Sequence, residues 1–388
     1  MIFTKKEYFS RIKKIKIEMN KRFLDLLIIT DPSNMNYTTG YDGWSFYVPQ
    51  GIIISIDLDE PIWFGRKQDA NGAKVTTFLD KDNIIGYPEK LIHASPEHPY
   101  DYVSKIIKEN NWSEKKIGVE MDSYYYSAEC HSRLLAQCPN ATFINADLLV
   151  NWIRYIKSDY EIEYMTQAAE LVQYGMKKAY ESIKPGVRQS FVAGKIQNAL
   201  LSGPRDIGGE YSGLTTILAS GVSASASHLT PKDNKFNINE GTIIELAGVK
   251  NRYHCPLSRT VYVGKPDNKT LDTMKITNEG LESALQNIKP GKTAHQIADS
   301  FWRVLEKYGL KKESRLGYST GIGYPPDWGE HTLSIRRNDE TILAKNVTLH
   351  LIAGMWMDSW GLEISETIRV TENGHKTFCN FPRNLHII

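Results

Sequence analysis

The chain repeats itself. IKPGVRQSFVAGKIQNAL, starting at residue 183, is echoed by IKPGKTAHQIADSFWRVL, starting at residue 288. After each comes a pair of strand-like stretches: GTIIELAG (241–248) leads to SRTVYV (258–263), and NVTLHLIAG (346–354) leads to SETIRV (365–370). Two helix–helix–strand–strand units thus share one plan. Duplicated units commonly pack about a pseudo-twofold axis, with ligand sites in the crevice between them. In this registration Glu245 is equivalent to Leu351 and Pro256 to Glu363. The acids alternate between the halves, so the chemistry is expected to draw on both.

Glu245 is itself an anomaly, the lone acid of an apolar strand-like run. A buried carboxylate costs several kcal/mol unless a partner offsets it. Eight residues later stands Tyr253-His254-Cys255-Pro256, and then a second β-branched stretch closes the unit. Glu363 and Glu366 alternate with Ile364 and Ser365, so only one of the two acids faces the crevice. Glu363 is the expected one, because its repeat partner is Pro256.

Ahead of the duplication the pattern is different. FLDLLIIT, GIIISIDL, EPIWFG and IGVEM read as strands. SNMNYTTG, a stretch around Tyr102–Asn110 and another at Ser127–Gln137 read as helices. This βα alternation predicts a three-layer N-terminal domain over residues 1–155. Ser158 followed by Glu161 has the signature of a capping box. It opens a long helix through Ile162, Met165, Ala169, Val172 and Met176 that ends at Lys184-Pro185-Gly186, and begins a second domain over 156–388. The fold class is α/β (α+β).

The remaining bulk features exclude several function classes. A net charge of +2 supplies no basic footprint for nucleic acid. No stretch approaches the 18 apolar residues of a membrane span, and the basic N-terminus lacks the apolar core of a signal peptide. Four cysteines without CxxC spacing fit reduced thiols, and hence a cytoplasmic protein.

These features resemble the "pita-bread" fold of the creatinase, prolidase and Xaa-Pro aminopeptidase superfamily, over essentially the whole chain. The metallopeptidases of that superfamily hold two metal ions with two aspartates, a histidine and two glutamates. Carried onto this chain, those positions read Glu245, Pro256, Tyr324, Ile352 and Ser365. Proline and isoleucine offer no donor, so no metal and no cofactor is expected. TGYDGWSFYVPQ, ELAGVKNRYHCPLSRTV, GYPPDWGEHTLSIR and GMWMDSWGLEISETIRVTENG are similar to segments of one metal-free branch, the ectoine hydrolases. That resemblance implies opening of the cyclic amidine of ectoine to N-acetyl-2,4-diaminobutyrate. Whether hydroxyectoine is also accepted stays open.

The chemistry sets out the expected site. An amidinium is matched by carboxylates and aromatic walls. The catalytic candidates are His228, Glu245, His331 and Glu363. His228 precedes Glu245 by 17 residues, the spacing of the superfamily's catalytic histidine. Glu245 is the expected nucleophile or base and His228 the proton shuttle. The substrate-binding candidates are Trp44, Tyr253, Tyr324, Trp328, Glu330, Trp356 and Glu366, with Trp360 as a further wall. Trp44 is expected to reach the pocket of a partner subunit in a homodimer, by analogy with the family. Rival readings are creatinase-type hydrolysis of a linear guanidino acid, residual Xaa-Pro peptidase activity, and a non-catalytic binding protein.

Overall fold

The computed structural model describes residues 1–388, which form two compact units, Met1–Arg154 and Tyr155–Ile388. The first carries helices α1 (Lys5–Lys21), α2 (Pro32–Thr39), α3 (Ala70–Thr76), α4 (Pro99–Glu109), α5 (Ala128–Gln137) and α6 (Leu149–Arg154). Its strands are β1 (Leu26–Ile29), β2 (Gly51–Ser55), β3 (Ile62–Arg66), β4 (Ile84–Tyr87), β5 (Lys116–Val119) and β6 (Thr142–Asn145). They make one mixed sheet in the order β4-β3-β2-β1-β5-β6. β1 is buried throughout, which explains its unbroken LLII run: a strand covered on both faces has no polar side. α2 follows at once because Asp31 caps it, accepting from the Ser33 and Asn34 amides, with Pro32 in the first turn. β4, β6, α3 and α6 left no sequence signal of their own; they are short, and β6 is only half-buried.

The second unit carries α7 (Asp159–Ser182), α8 (Gln189–Ser202), α9 (Asn268–Asn287) and α10 (Ala294–Lys307). Its strands are β7 (Ile217–Ser220), β8 (Glu240–Lys250), β9 (Tyr253–Val263), β10 (Gly317–Tyr324), β11 (Asp327–Ile335), β12 (Thr348–Trp356), β13 (Gly361–Val370), β14 (His375–Thr377) and β15 (His386–Ile387). The sheet runs β14-β13-β12-β10-β9-β8-β7, with β11 paired to β10 and β15 to β9. The capping box forms: the Ser158 hydroxyl accepts from the Glu161 amide, and the Glu161 carboxylate accepts from the Ser158 amide at 2.8 Å.

Alternation along the strands sorts their side chains into two faces. Ile244, Leu246, Cys255, Leu257 and Val261 pack with Ala168, Val172, Met176 and Ile196 of α7 and α8. In the second half Leu349, Leu351, Leu362, Ile364 and Ile368 pack with Leu281, Leu285, Ile297 and Phe301 of α9 and α10. Each such side chain contributes about 1.5–3 kcal/mol on burial. The intervening residues, Glu245, Pro256, Ser258, Thr260, His350, Ile352, Trp356, Glu363, Ser365 and Thr367, therefore turn to the inner face.

This arrangement corrects the registration of the repeat. Glu245 pairs with Ser258 on β9, and Ile352 pairs with the equivalent Ser365 on β13. The structural equivalent of Glu245 is thus Ile352, not Leu351, which lies in the helix-facing core. Aligning the two Ala-Gly pairs slips the register by one, and a slip of one reverses the face of every side chain. The equivalence of Pro256 and Glu363 holds, since they pair with Ala247 and Gly354 respectively.

β9 and β13 meet along a seam bridged by hydroxyls. Thr260 Oγ1 accepts from the Glu363 amide at 2.8 Å and donates to the Glu363 carbonyl at 2.9 Å. Its pseudo-symmetric counterpart, Thr367 Oγ1, donates to the Pro256 carbonyl at 2.6 Å. By that symmetry the Pro256 nitrogen points into the seam rather than into the β8 ladder. A proline is tolerated mid-strand because the bond it forgoes is a seam bond.

Thr260→Val leaves both the amide and the carbonyl of Glu363 without their seam partner, whereas Thr367→Val strands only one carbonyl. The expected losses, from urea unfolding, are about 2–3 kcal/mol for Thr260→Val and about 1 kcal/mol for Thr367→Val.

Candidate active site

The inner face gathers two acids from opposite halves of the repeat. Glu245 on β8 is 6% exposed and Glu363 on β13 is 1% exposed. Burial, then the charge of Glu363 and that of Asp327, holds the Glu245 carboxyl well above the usual range. Burial pushes Glu363 up to about 7, with the Ser258 hydroxyl and the Lys312 ammonium pulling the other way. Two like charges in one buried site do not both ionise readily near neutral pH. Glu363 Oε1 is buried and has no hydrogen-bond partner in the chain.

Around the acids stands a set of mostly satisfied polar groups. The Trp328 indole N–H donates to the Tyr318 hydroxyl at 2.8 Å. Burial, then Glu245, raises the Tyr318 phenol well above its ordinary value, so that ring stands within electrostatic reach of the acid. His350 is fully buried, edge-on to Tyr318 with ring centroids 5.7 Å apart. The Ser258 amide donates to Ser365 Oγ at 2.6 Å, and Ser365 Oγ lies 2.8 Å from His350 Nε2. His350 Nδ1 is buried and has no hydrogen-bond partner in the chain. Burial, then the charge of Arg315, lowers His350 to about 3, so the ring is neutral.

His331 Nε2 lies 2.9 Å from Asp327 Oδ2, and the Trp328 and Gly329 amides donate to Asp327 Oδ1. Burial acts to raise Asp327, but these bonds outweigh it and hold the acid at about 2. His331 also has a left-handed backbone, φ 57°, which sets its side chain beside Asp327. His254 has a structural task. Its Nε2 accepts from the Gly213 amide at 2.8 Å while its Nδ1 lies 2.9 Å from the Arg252 carbonyl, and burial first of all keeps it neutral, at about 4.

The structure sorts the residues singled out in the sequence. Glu245, Glu363, Trp328 and Trp356 come together on the inner face, and His331 is linked to it through Asp327. Tyr324 is buried at the end of β10, with the Arg252 guanidinium 5.6 Å from its ring. Three others do not join them. Tyr253 turns to the helix side and donates to Glu161 at 2.8 Å. Glu366 also faces outward, accepting from Arg259 at 2.7 Å and Arg383 at 2.9 Å. Glu330 is buried in an ion pair with Lys157 at 2.5 Å. Glu330 and Glu366 thus each have a cation within the chain.

His228 is not brought to the acids either. It is exposed in the loop before β8, and its ring contacts the neighbouring Ser227 hydroxyl at 3.3 Å. A spacing of 17 residues through a loop fixes no direction. Trp360 is partly buried against the core of the second half, and Trp44, 59% exposed, belongs to the N-terminal unit.

Four inner-face residues escaped the sequence reading. His350 was legible, being the lone titratable residue in TLHLIAG, the same anomaly that marks Glu245. Asp327, Tyr318 and Lys312 carried no such signal.

A two-domain hydrolase with its site between duplicated β-sheet halves is the class that fold and site define. Residues 163–372 match metallopeptidase family M24 and residues 11–156 match the creatinase/prolidase N-terminal domain, so the chain belongs to the M24 family and has its pita-bread fold. It is 43% identical to the ectoine hydrolase of Halomonas elongata, over 99% of this chain and 98% of that protein. Among solved structures it is similar to the prolidase of Thermococcus sibiricus (TM-score 0.85, 18% identity, 98% and 99% of the two chains). It is also similar to an Xaa-Pro dipeptidase from Bacillus anthracis (TM-score 0.82, 19% identity, 98% and 100%). Those two likenesses show the fold.

The donor set does not fit the metal pair that the family name implies. Of the five positions carried over from the metallopeptidases, Glu245, Pro256, Ile352 and Ser365 all turn to the inner face. Pro256 and Ile352 have no donor atom to offer, and no group of three His, Cys, Asp or Glu side chains is placed to hold an ion.

Glu363→Gln removes an acid whose proton affinity is raised by folding. That acid weakens the native state as pH rises from its unfolded value, about 4.5, to its folded value, about 7. The variant is expected to be more stable than the parent by on the order of 3 kcal/mol at pH 8, with the gain vanishing by pH 4.5. Chemical unfolding across that pH range measures it; a gain that instead grows on acidification would contradict the raised proton affinity.

Proposed function

We infer that this chain hydrolyses ectoine. Water adds at the carbon between the two ring nitrogens, one carbon–nitrogen bond breaks, the freed nitrogen takes up a proton, and N-acetyl-2,4-diaminobutyrate is released. The observation that carries this is the 43% identity to an ectoine hydrolase along almost the full length of both proteins. The site is suited to it. A planar amidinium is the cation that two buried, unpaired carboxylates call for, and aromatic rings flank them.

The residue roles we propose are these. Glu245 acts on the amidine carbon, as nucleophile or by activating water. Glu363, with its proton affinity near neutrality, exchanges the proton with the departing nitrogen, in place of the exposed His228. His331, held by Asp327, and the neutral His350 orient water and substrate beside them. An amidinium carbon is already electrophilic, so the reaction does not require a Lewis acid. We further propose a cytoplasmic homodimer acting on this small molecule, with exposed Trp44 reaching the partner's site. Four free thiols and a chain with no helix apolar enough to cross a membrane support the compartment. Light scattering tests the dimer.

Proton NMR of ectoine incubated with the protein tests the reaction: the ring methyl signal should give way to that of an acetyl group. Glu245→Gln should lower kcat by at least about 10²–10⁴. Dialysis against a chelator should leave the parent rate unchanged, and restoration of a lost rate by added manganese or zinc would overturn the metal-free chemistry.

A further inference from the structure

Beside the two acids the inner face holds an unused pair of donors. Lys312 is 8% exposed, and its Nζ donates to Ser314 Oγ at 2.7 Å and to the Gly354 carbonyl at 2.9 Å. Gly354 is the strand partner of Glu363, so the ammonium is anchored next to the acid's own strand. Nζ also lies 4.5 Å from the ring centroid of Trp356. The chain gives Lys312 no ion pair; Glu363 acts on it only at longer range. Of its three N–H donors, two are engaged and one is left. Trp356 Nε1 is likewise buried and has no partner.

We propose that Lys312 and the Trp356 indole N–H form the receptor for the substrate's carboxylate, so that the site grips a zwitterion by both charges. This rests on the ectoine reading above. A buried ammonium without a counter-ion is costly, and so is a buried indole N–H without an acceptor. Burial lowers Lys312 only to about 8, which keeps it mostly charged at neutral pH. The site therefore lacks an anion at Lys312 and Trp356, and lacks a cation at Glu245 and Glu363. One small molecule with an amidinium and a carboxylate on the same ring meets both demands; a carboxylate-free amidine meets one.

Steady-state kinetics with ectoine and with 2-methyl-1,4,5,6-tetrahydropyrimidine, the same ring without its carboxylate, test the receptor. The parent should prefer ectoine in kcat/KM. Lys312→Met should raise KM for ectoine about 10–100-fold, change kcat less, and erode most of that preference. Trp356→Phe keeps an aromatic ring but removes the N–H with the rest of the pyrrole ring, and should erode the preference about three- to tenfold. Should Lys312→Met fail to fold, Lys312→Arg and Trp356→Phe give the same readout in milder form. Variants that retain the full preference for ectoine, or that lose equally on both substrates, overturn the receptor. If the parent opens neither ring, the proposed reaction has failed, and calorimetry of ectoine binding then decides the receptor separately: weaker binding to Lys312→Met and Trp356→Phe supports it, unchanged binding overturns it.

Discussion

Two carboxylates share a buried face, and no side chain forms an ion pair with either. Most features of the second unit answer to that arrangement. Glu245 and Glu363 each resist ionisation because water has been removed, and the charge of Glu363 raises Glu245 further. A globular chain selected for stability alone would place leucine at both positions. Keeping the acids is costly in the free protein, and a cation entering between them would offset that cost. The outward-facing acids show the contrast. Glu330 with Lys157, and Glu366 with Arg259 and Arg383, have their counter-charges within the chain, though Glu366 Oε2 is itself buried without a hydrogen-bond partner.

The seam between β9 and β13 is what makes the two acids neighbours. Its threonines and serines take the place of a ladder that the sheet does not form there, and they tie the second strand of one half to the second strand of the other. Substitution at the old metal positions has used this frame without dismantling it. Pro256 forgoes only a seam bond, and Ile352 fills space. Ser365 Oγ accepts from the Ser258 amide and lies against His350 Nε2, so the side chain there serves the seam.

Much of this was readable in advance. The duplication showed in paired strands and in the recurring Ile-Lys-Pro-Gly, and the capping box at Ser158 marked where the second unit's long helix begins. Glu245 stood out because an acid in an apolar strand demands an explanation, and Glu363 because strict alternation left room for only one inward acid. Facing was harder to read than identity: Tyr253 was singled out by its place in the Tyr-His-Cys-Pro run, and a run does not say which face a strand register presents. The repeat alignment slipped by one at Leu351 for the same reason: Ala-Gly in two strands is too short a match to fix a register whose period is two.

The order of residues was enough to specify the doubled architecture, the loss of metal donors and the presence of a buried acid, because periodicity, repetition and donor chemistry are properties of the chain read in line. Which acids are paired with cations and which are left open, and the presence of Lys312 and His350 beside them, depended on the folded arrangement. Lys312 lies 51 residues before Glu363 in a lysine-rich loop, with nothing to distinguish it from its neighbours. It gains meaning only when the sheet curls and brings its ammonium to the carbonyl of Gly354.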